Sequence, residues 1–473
     1  MQNFGLTDKQ KEDIGLSFVQ AQLGCRSPYG KEKARQNAPF SAARQNKLEI
    51  CFDNMEKVLV LYGKSAADME DLCDLLAHFK NIRAIVDKCA DTPLGQVELF
   101  ELKGFLLTME RFLPLFIALK TDFEGIVFKP MTAALDILDP HSKRVAPFYI
   151  EDSATPALAV IRQEKAAAGQ GKERAEIAAR EDAEEMRIMA ELSRRLRMHL
   201  PDFYANMDNL GQLDFAIAKA KLAQKFGAAR PKIAKDRVVL ENMLNPLVAH
   251  ALAAKGKEFT KISINLKKAS TIITGANMGG KSVAIKTAAL NATLACLGFF
   301  VFADAAEVPL FDDICLLAED LQNAADGLSS FGAEITHLNE ILHKSKTQFM
   351  LILLDEPART TNPAEGAAIA RALVAHLAQS GCVCLISTHY DQVEGDKHYR
   401  VAGLAENVPQ GASIGDYMDY TLIEIDTKTP PHSCHARQNG WIGVLLPFRF
   451  RNQQAKVEFW LSGDCWVQNM QNP

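Results

Sequence analysis

The chain has 473 residues, of which 48% are hydrophobic and 23% charged, with a formal net charge of −5. An apolar share of that size can fill large buried cores, which excludes disordered, collagen-like and disulfide-framework chains; at about 150 residues per domain the length implies about three domains. The mild acidity argues against a surface that grips nucleic acid everywhere, while leaving local basic patches open.

No apolar run reaches the roughly 18 residues of a membrane span, and the longest, residues 288–302, is broken by Asn291 and Gly298. The N-terminal stretch MQNFGLTDKQKEDIG lacks the apolar centre of a secretory signal, so a cytoplasmic location is expected, with no membrane partner. The ten cysteines show no CxxC spacing. Cys382 and Cys384, in an apolar run, are expected as buried reduced thiols on one face of a strand. His432, Cys434 and His435 resemble metal ligands but lack a fourth partner at a familiar spacing.

In chain order, residues 1–135 read as helical: Leu72, Leu75, Leu76 and Phe79, then Phe105, Met109, Phe112 and Leu113, recur at helical spacing. Arg26, Lys31, Lys33, Arg35, Arg44 and Lys47 form a basic stretch with Tyr29 and Phe40 interleaved. It reads as a solvated loop, with a nucleic-acid contact as the alternative. Residues 156–226 are helical again; the mixed-charge run KAAAGQGKERAEIAAREDAEE predicts a solvated turn or a helix pair, and Gly227 and Pro231 end the region. Beyond them, apolar β-type runs at 261–266, 270–274, 350–354 and 382–387 alternate with helical patterns at 281–297, 331–343 and 365–379. Such alternation marks a mainly parallel sheet covered by helices. The pattern fades after Pro430, and Trp441, Trp460 and Trp466 all lie beyond it.

Residues 271–282, TIITGANMGGKS, read as a strand running into G-x-x-x-x-G-K-[ST] and then a helix, the context a phosphate-binding loop requires. Across Gly275, Ala276, Asn277, Met278, Gly279 and Gly280 the backbone N–H groups can curl around a β-phosphate at the positive end of the helix. Lys281 would reach the β- and γ-phosphates and Ser282 would offer a hydroxyl to Mg²⁺, so ATP and Mg²⁺ are the expected ligands. The apolar run 350–354 followed by Asp355 and Glu356 makes a buried central strand with two carboxylates at its C-terminal end, where α/β sheets bind ligands. Asp355 is expected to hold Mg²⁺ through water, and Glu356 to polarise the attacking water. Ser387-Thr388-His389 closes the next strand, placing His389 to sense the γ-phosphate; taken alone it would be a plain strand-end histidine.

These segments resemble the ATPase domain of the MutS family. TGANMGGKS is similar to that family's TGPNMGGKS, with Ala276 in place of proline. LILLDEPARTTNPAEG is similar to its apolar–DE–x–G–R–G–T–S–T–x–D–G stretch, keeping Asp355, Glu356, Arg359, Thr361 and Gly366, and STHY at 387–390 is similar to its ATHY. Asp326-Gly327-Leu328-Ser329-Ser330-Phe331 resembles its S-G-R-S-T-F segment, which reaches across a dimer to the partner's nucleotide in the manner of the ABC-transporter signature. The resemblance therefore implies a homodimer in which Ser329 and Ser330 make the trans nucleotide contact; taken alone, the two serines read as a helix N-cap. Residues 152–162 and 210–233 resemble lever segments of the family, and Asn245-Pro246-Leu247 sits where it usually has His-Pro-Leu. The implied architecture is an α/β P-loop NTPase domain, ABC-like with a mainly parallel sheet, at 236–430. A helical lever or core domain at 136–235 and a helical N-terminal domain at 1–135 precede it, and an atypical tail at 431–473 follows.

The family's mismatch-reading domain with its Phe-x-Glu wedge is not evident, and only residues 163–179 separate the segments that flank its DNA clamp. The resemblance implies an ATP-hydrolysing dimeric switch acting on DNA in the manner of mismatch repair. The missing DNA-gripping elements keep a protein load open as the alternative. In that case the chain would be an ATP-dependent remodelling or reactivating factor for a partner such as an adenosylcobalamin-dependent aminomutase, with residues 1–135 as the docking domain.

Overall fold

The computed structural model describes residues 4–145, 147–275, 279–318, 330–404 and 418–425, the side chains of Ser330 and Leu404 apart. The first half is helical: α1 (Asp8–Asp13), α2 (Leu16–Ala21), α3 (Pro28–Arg35), α4 (Gln45–Lys64), α5 (Ala66–His78), α6 (Arg83–Asp91), α7 (Gln96–Ala118), α8 (Thr132–Leu138), α9 (Pro156–Ala167), α10 (Lys172–Leu196) and α11 (Leu200–Phe226). Leu72, Leu75 and Leu76 of α5, Phe79 just beyond it, and Phe105, Met109 and Phe112 of α7 are buried, as their helical spacing requires. The mixed-charge run is a helix pair, with α9 and α10 joined at residues 168–171.

The basic stretch from Arg26 to Lys47 is solvated at its basic side chains but, past Ser27, is a loop only at 36–41, with α3 before it and a helical turn leading into α4 after it. Ser27 caps α3 by accepting the Gly30 N–H (3.0 Å), with Pro28 at the first helical position. Tyr29 is 1% exposed; its hydroxyl donates to the Lys80 carbonyl (2.8 Å) and accepts the Ile82 N–H (3.2 Å). Asp214 of α11 accepts the N–H groups of Arg26 (3.0 Å) and Ser27 (2.6 Å) and the Ser27 hydroxyl (2.7 Å), and Lys33 pairs with Asp208 of the same helix (3.1 Å). Burial pushes the Asp214 carboxyl above the ordinary value, against those hydrogen bonds. Burial of the Tyr29 ring and the capped helix start fix a helix there while Arg26, Lys31, Arg35, Arg44 and Lys47 stay exposed.

The second half alternates α12 (Pro246–Ala253), α13 (Lys281–Cys296), α14 (Ser330–Lys344) and α15 (Pro363–Ala378) with strands β1 (Lys232–Ala234), β2 (Arg237–Met243), β3 (Ile262–Lys267), β4 (Ser270–Thr274), β5 (Ala305–Pro309), β6 (Asp313–Leu317), β7 (Met350–Asp355), β8 (Val383–Ser387), β9 (Lys397–Leu404) and β10 (Met418–Ile425). A six-stranded sheet runs in the order β10-β9-β4-β8-β7-β6, parallel throughout except for β9 against β10. A four-stranded sheet runs β1-β5-β2-β3, with β2 antiparallel to both neighbours. The apolar run at 261–266 is thus not part of the parallel set; it pairs with β2 in the smaller sheet.

The period-two geometry of β7 sorts its side chains. Met350, Ile352 and Leu354 join Leu338 and Ile341 of α14 and Leu373 and Leu377 of α15 in one apolar cluster; Leu351 and Leu353 join the main core with Ile285 and Ala288 of α13. Cys382 and Cys384 both belong to the α14–α15 face as free thiols. α13 is buried on every side from Thr287 to Cys296, packed against β7 and β8 of one sheet and β2 and β5 of the other. Its end is met by the helical half: the Phe40 N–H donates to the Cys296 carbonyl (2.8 Å), Asn37 to that of Leu297 (3.0 Å), and the Lys219 ammonium to that of Gly298 (2.9 Å). Among the described residues no helix is long and apolar enough to cross a membrane.

Hydrogen bonds hold the α9–α10 pair at its surface. Arg187 and then Thr155 hold the Glu184 carboxyl down at about 2, and Lys165, against burial and with help from Arg162, holds Glu181 below the ordinary 4.5. Both groups bind fewer protons folded than unfolded, so their stabilisation is complete above the ordinary carboxylate range and is lost as pH falls towards the folded values. Acidification from pH 5 to pH 2 is therefore expected to open α9 and α10 ahead of α4 and α7. The first pepsin cuts should fall between residues 156 and 196; first cuts within α4 or α7 would contradict this.

Candidate nucleotide site

β4 delivers the chain to the C-terminal edge of the six-stranded sheet, where Gly275 (φ 141°) turns it outward and Gly280 (φ 88°) turns it into α13. Only glycine takes both conformations without strain, and a Cβ on Gly280 would lie 3.0 Å from the Tyr420 ring of β10. Lys281 opens α13 and is 4% exposed; its ammonium donates to the Gly275 carbonyl (2.9 Å) and pairs with Glu356 (3.2 Å). Gly279 is buried beside it, and Ser282 is exposed at the same helix N-terminus.

Two strands away, parallel pairing sets Asp355 of β7 opposite Ser387 of β8. The Ser387 hydroxyl donates to the buried Asp355 carboxylate (2.6 Å) and accepts the Glu356 N–H (2.9 Å). His389, just past β8, places Nδ1 3.6 Å from the second Glu356 oxygen, with its ring against Tyr390. Glu356 thus lies between a buried ammonium and a half-exposed imidazole.

The loop leaving β7 is strained. Glu356 (φ 50°) and Ala358 (φ 63°) both take left-handed backbone, which costs a residue bearing a Cβ about 1–2 kcal/mol. Neighbours pin the loop. Glu334 of α14, itself buried, accepts the Ala358 N–H (2.6 Å) and the Thr360 hydroxyl (2.9 Å), and the Tyr390 hydroxyl donates to the Ala358 carbonyl (2.8 Å). Ala358 and Thr360 stand where the MutS-type pattern has glycines.

The structure brings Gly275, Gly279, Gly280, Lys281, Ser282, Asp355, Glu356 and His389 to one edge of the sheet. Ala276, Asn277, Met278 and Ser329 lie outside the described residues, as do His432, Cys434, His435 and the three tryptophans. Ser330 is the first residue of α14, and its side chain lies outside them too. The reading of the sequence missed Glu334. Its signal was available: it sits on the stripe of Leu338 and Ile341, and a carboxylate on a buried stripe needs partners.

Fold and site together define an α/β protein whose mainly parallel sheet gathers a lysine after a glycine turn and two acidic residues at one edge, two strands apart. Residues 271–408 match the family model of MutS domain V. The chain is similar to proteins named Endonuclease MutS2: that of Ruminiclostridium cellulolyticum (31% identity over 250 residues, 52% of this chain and 31% of the relative), that of Latilactobacillus sakei (35% over 216 residues, 45% and 27%) and that of Leuconostoc mesenteroides (29% over 247 residues, 52% and 30%). The similarity to the MutS family covers part of the chain, and the match spans less than a third of the length of those relatives.

One position tests how tightly the loop is packed. A Cβ on Gly366 of α15 would lie 2.1 Å from the Tyr390 hydroxyl and 2.7 Å from the Ala358 carbonyl. Gly366→Ala is therefore expected to cost about 1–3 kcal/mol in urea denaturation; an unchanged midpoint would show room that these distances deny.

Proposed function

We propose that the chain is an ATP-binding, ATP-hydrolysing member of the MutS family that works as a cytoplasmic homodimer on DNA. Residues 236–430 would be its P-loop NTPase domain, 136–235 its lever and 1–135 its helical N-terminal domain. The observation that carries the reading is the buried Lys281 ammonium, set at the start of α13 beside Gly275 and held by Glu356. A buried charge is costly without a partner, and the start of a helix favours phosphate.

A triphosphate seated there would take Lys281 over from Glu356 and free that carboxylate for water. Backbone N–H groups across Gly275, Ala276, Asn277, Met278, Gly279 and Gly280 would wrap the phosphates, and His389, beside Glu356, would sense the γ-phosphate. Asp355 and Ser282 offer the hard oxygen donors that suit Mg²⁺ and would hold it; the ion would neutralise charge on the phosphates. Ser329 and Ser330 would meet the nucleotide of the partner subunit.

The domain V match supports the ATPase, and the relatives' name, an endonuclease, supports DNA as the load. One observation favours a second reading, a protein load on the same engine: Tyr29, buried in α3, is not available to stack on a base.

Glu356→Gln is expected to keep ATP binding while lowering turnover by about 10²–10⁴-fold. Lys281→Ala should weaken ATP binding itself by about thirtyfold or more. Normal hydrolysis by the first variant, followed by phosphate release, would remove Glu356 from its role. With DNA as the load, turnover should rise with duplex or branched DNA, and the rise should fade between about 50 and 200 mM salt. A rate indifferent to every DNA would favour the protein load.

A further inference from the structure

We propose that Glu334 is a positioning residue that holds the loop after β7 in the shape presenting Glu356, so that hydrolysis depends on where α14 lies; this rests on the ATP-hydrolysing reading of the site. The loop is anchored at its start by the Glu356 N–H on Ser387 and on one flank by Tyr390, both from β8 or just past it. Glu334 reaches it from a different element, with one carboxylate oxygen on the Ala358 N–H (2.6 Å) and the other on the Thr360 hydroxyl (2.9 Å).

A carboxylate only accepts, so two donors converging on its two oxygens are matched to that group and not to an amide. Ala358 needs such a clamp because its left-handed backbone is unfavourable for any residue with a Cβ. Thr360 contributes a donor that a glycine could not. Glu334 is buried one turn into α14 and would be costly there without these partners. The first turn of α14 and the hydrolytic loop are therefore one mechanical unit, and a shift of α14 withdraws the clamp from Ala358.

The experiment uses the full chain with Glu334→Gln, Ala358→Gly and the two combined. It reads ATP affinity, single-turnover hydrolysis and amide exchange over residues 356–361. Glu334→Gln keeps the volume but turns an amide N–H₂ towards a donor. It should slow hydrolysis by about ten- to a hundredfold, the scale of a small misplacement of a reacting group. ATP affinity should stay within about threefold, so the loss falls on turnover and not on binding. Exchange over 356–361 should accelerate while β4 and β8 keep their protection.

Ala358→Gly in the same chain should restore part of the rate, since glycine takes the left-handed conformation without help. Any general gain in stability from glycine there should shift the urea midpoint alike in the wild-type and Glu334→Gln backgrounds, whereas the rate should rise only in the Glu334→Gln background. The proposal is overturned if Glu334→Gln hydrolyses ATP at the wild-type rate. It is equally overturned if that variant loses ATP binding and protection throughout and Ala358→Gly restores nothing. A wild-type chain inert towards ATP would sink the ATPase reading instead, and exchange over 356–361 would still decide whether Glu334 clamps the loop.

Discussion

The structure depends on one helix whose C-terminal ten residues have no free side. From Thr287 to Cys296 α13 is buried, so water can satisfy neither its flanks nor the carbonyl at its end. The Cys296 carbonyl goes to Phe40, and those of Leu297 and Gly298 just beyond the helix go to Asn37 and Lys219, all from the helical half of the chain. Lys219 is 2% exposed, and its ammonium also lies over the Phe215 and Phe299 rings, which offsets part of the cost of burying it. Arg230, just past α11, adds ion pairs to Glu49, Asp53 and Glu56 of α4. A single apolar core accordingly runs from Phe4 to Val401, and the helix that starts at Lys281 ends on the helical half. A displacement at its first turn has no slack in which to dissipate.

At the other end of α13 the dominant physics is charge in a poorly solvated place. Lys281 and Glu356 hold one another while the sheet brings Asp355, Ser387 and His389 alongside. Removing either member of such a pair strands the other, so the pair is stable as it stands and is exchanged only for a partner that brings charge of its own. The strained loop beside it is the complementary feature. Two left-handed residues within three positions persist only where surroundings over-determine them, and Glu334, Tyr390 and the close approach at Gly366 supply that. Strain concentrated beside buried charge is what a site poised for chemistry looks like.

What could be read in advance followed the range of the interactions. β4, the glycine turn and α13 are contiguous, and so is the apolar run of β7 with its two carboxylates; each is specified by neighbours in sequence. The same holds for α5, α7 and the α9–α10 pair. β3 shows the limit: its apolar residues announce a strand, but its membership of the smaller sheet rests on pairing with β2, whose short Val238–Leu240 run between polar residues does not say which strand it joins. The stretch around Tyr29 shows another. Its lysines and arginines do meet solvent, and Ser27 and Pro28 start the helix locally, but its docking on α11 rests on Asp214, far along the chain.

The sequence by itself determined which residues are strands and helices wherever periodicity is local, and which positions carry a glycine turn, a lysine and paired carboxylates in a known order. Tertiary structure alone decided that Lys281 faces Glu356, that Ser387 bridges Asp355 to the Glu356 N–H, and that Glu334 reaches across from α14 to hold Ala358. The reason is physical: backbone propensity and side-chain period act over a few residues, whereas a buried charge or an unsatisfied N–H finds its partner only after the chain has closed on itself.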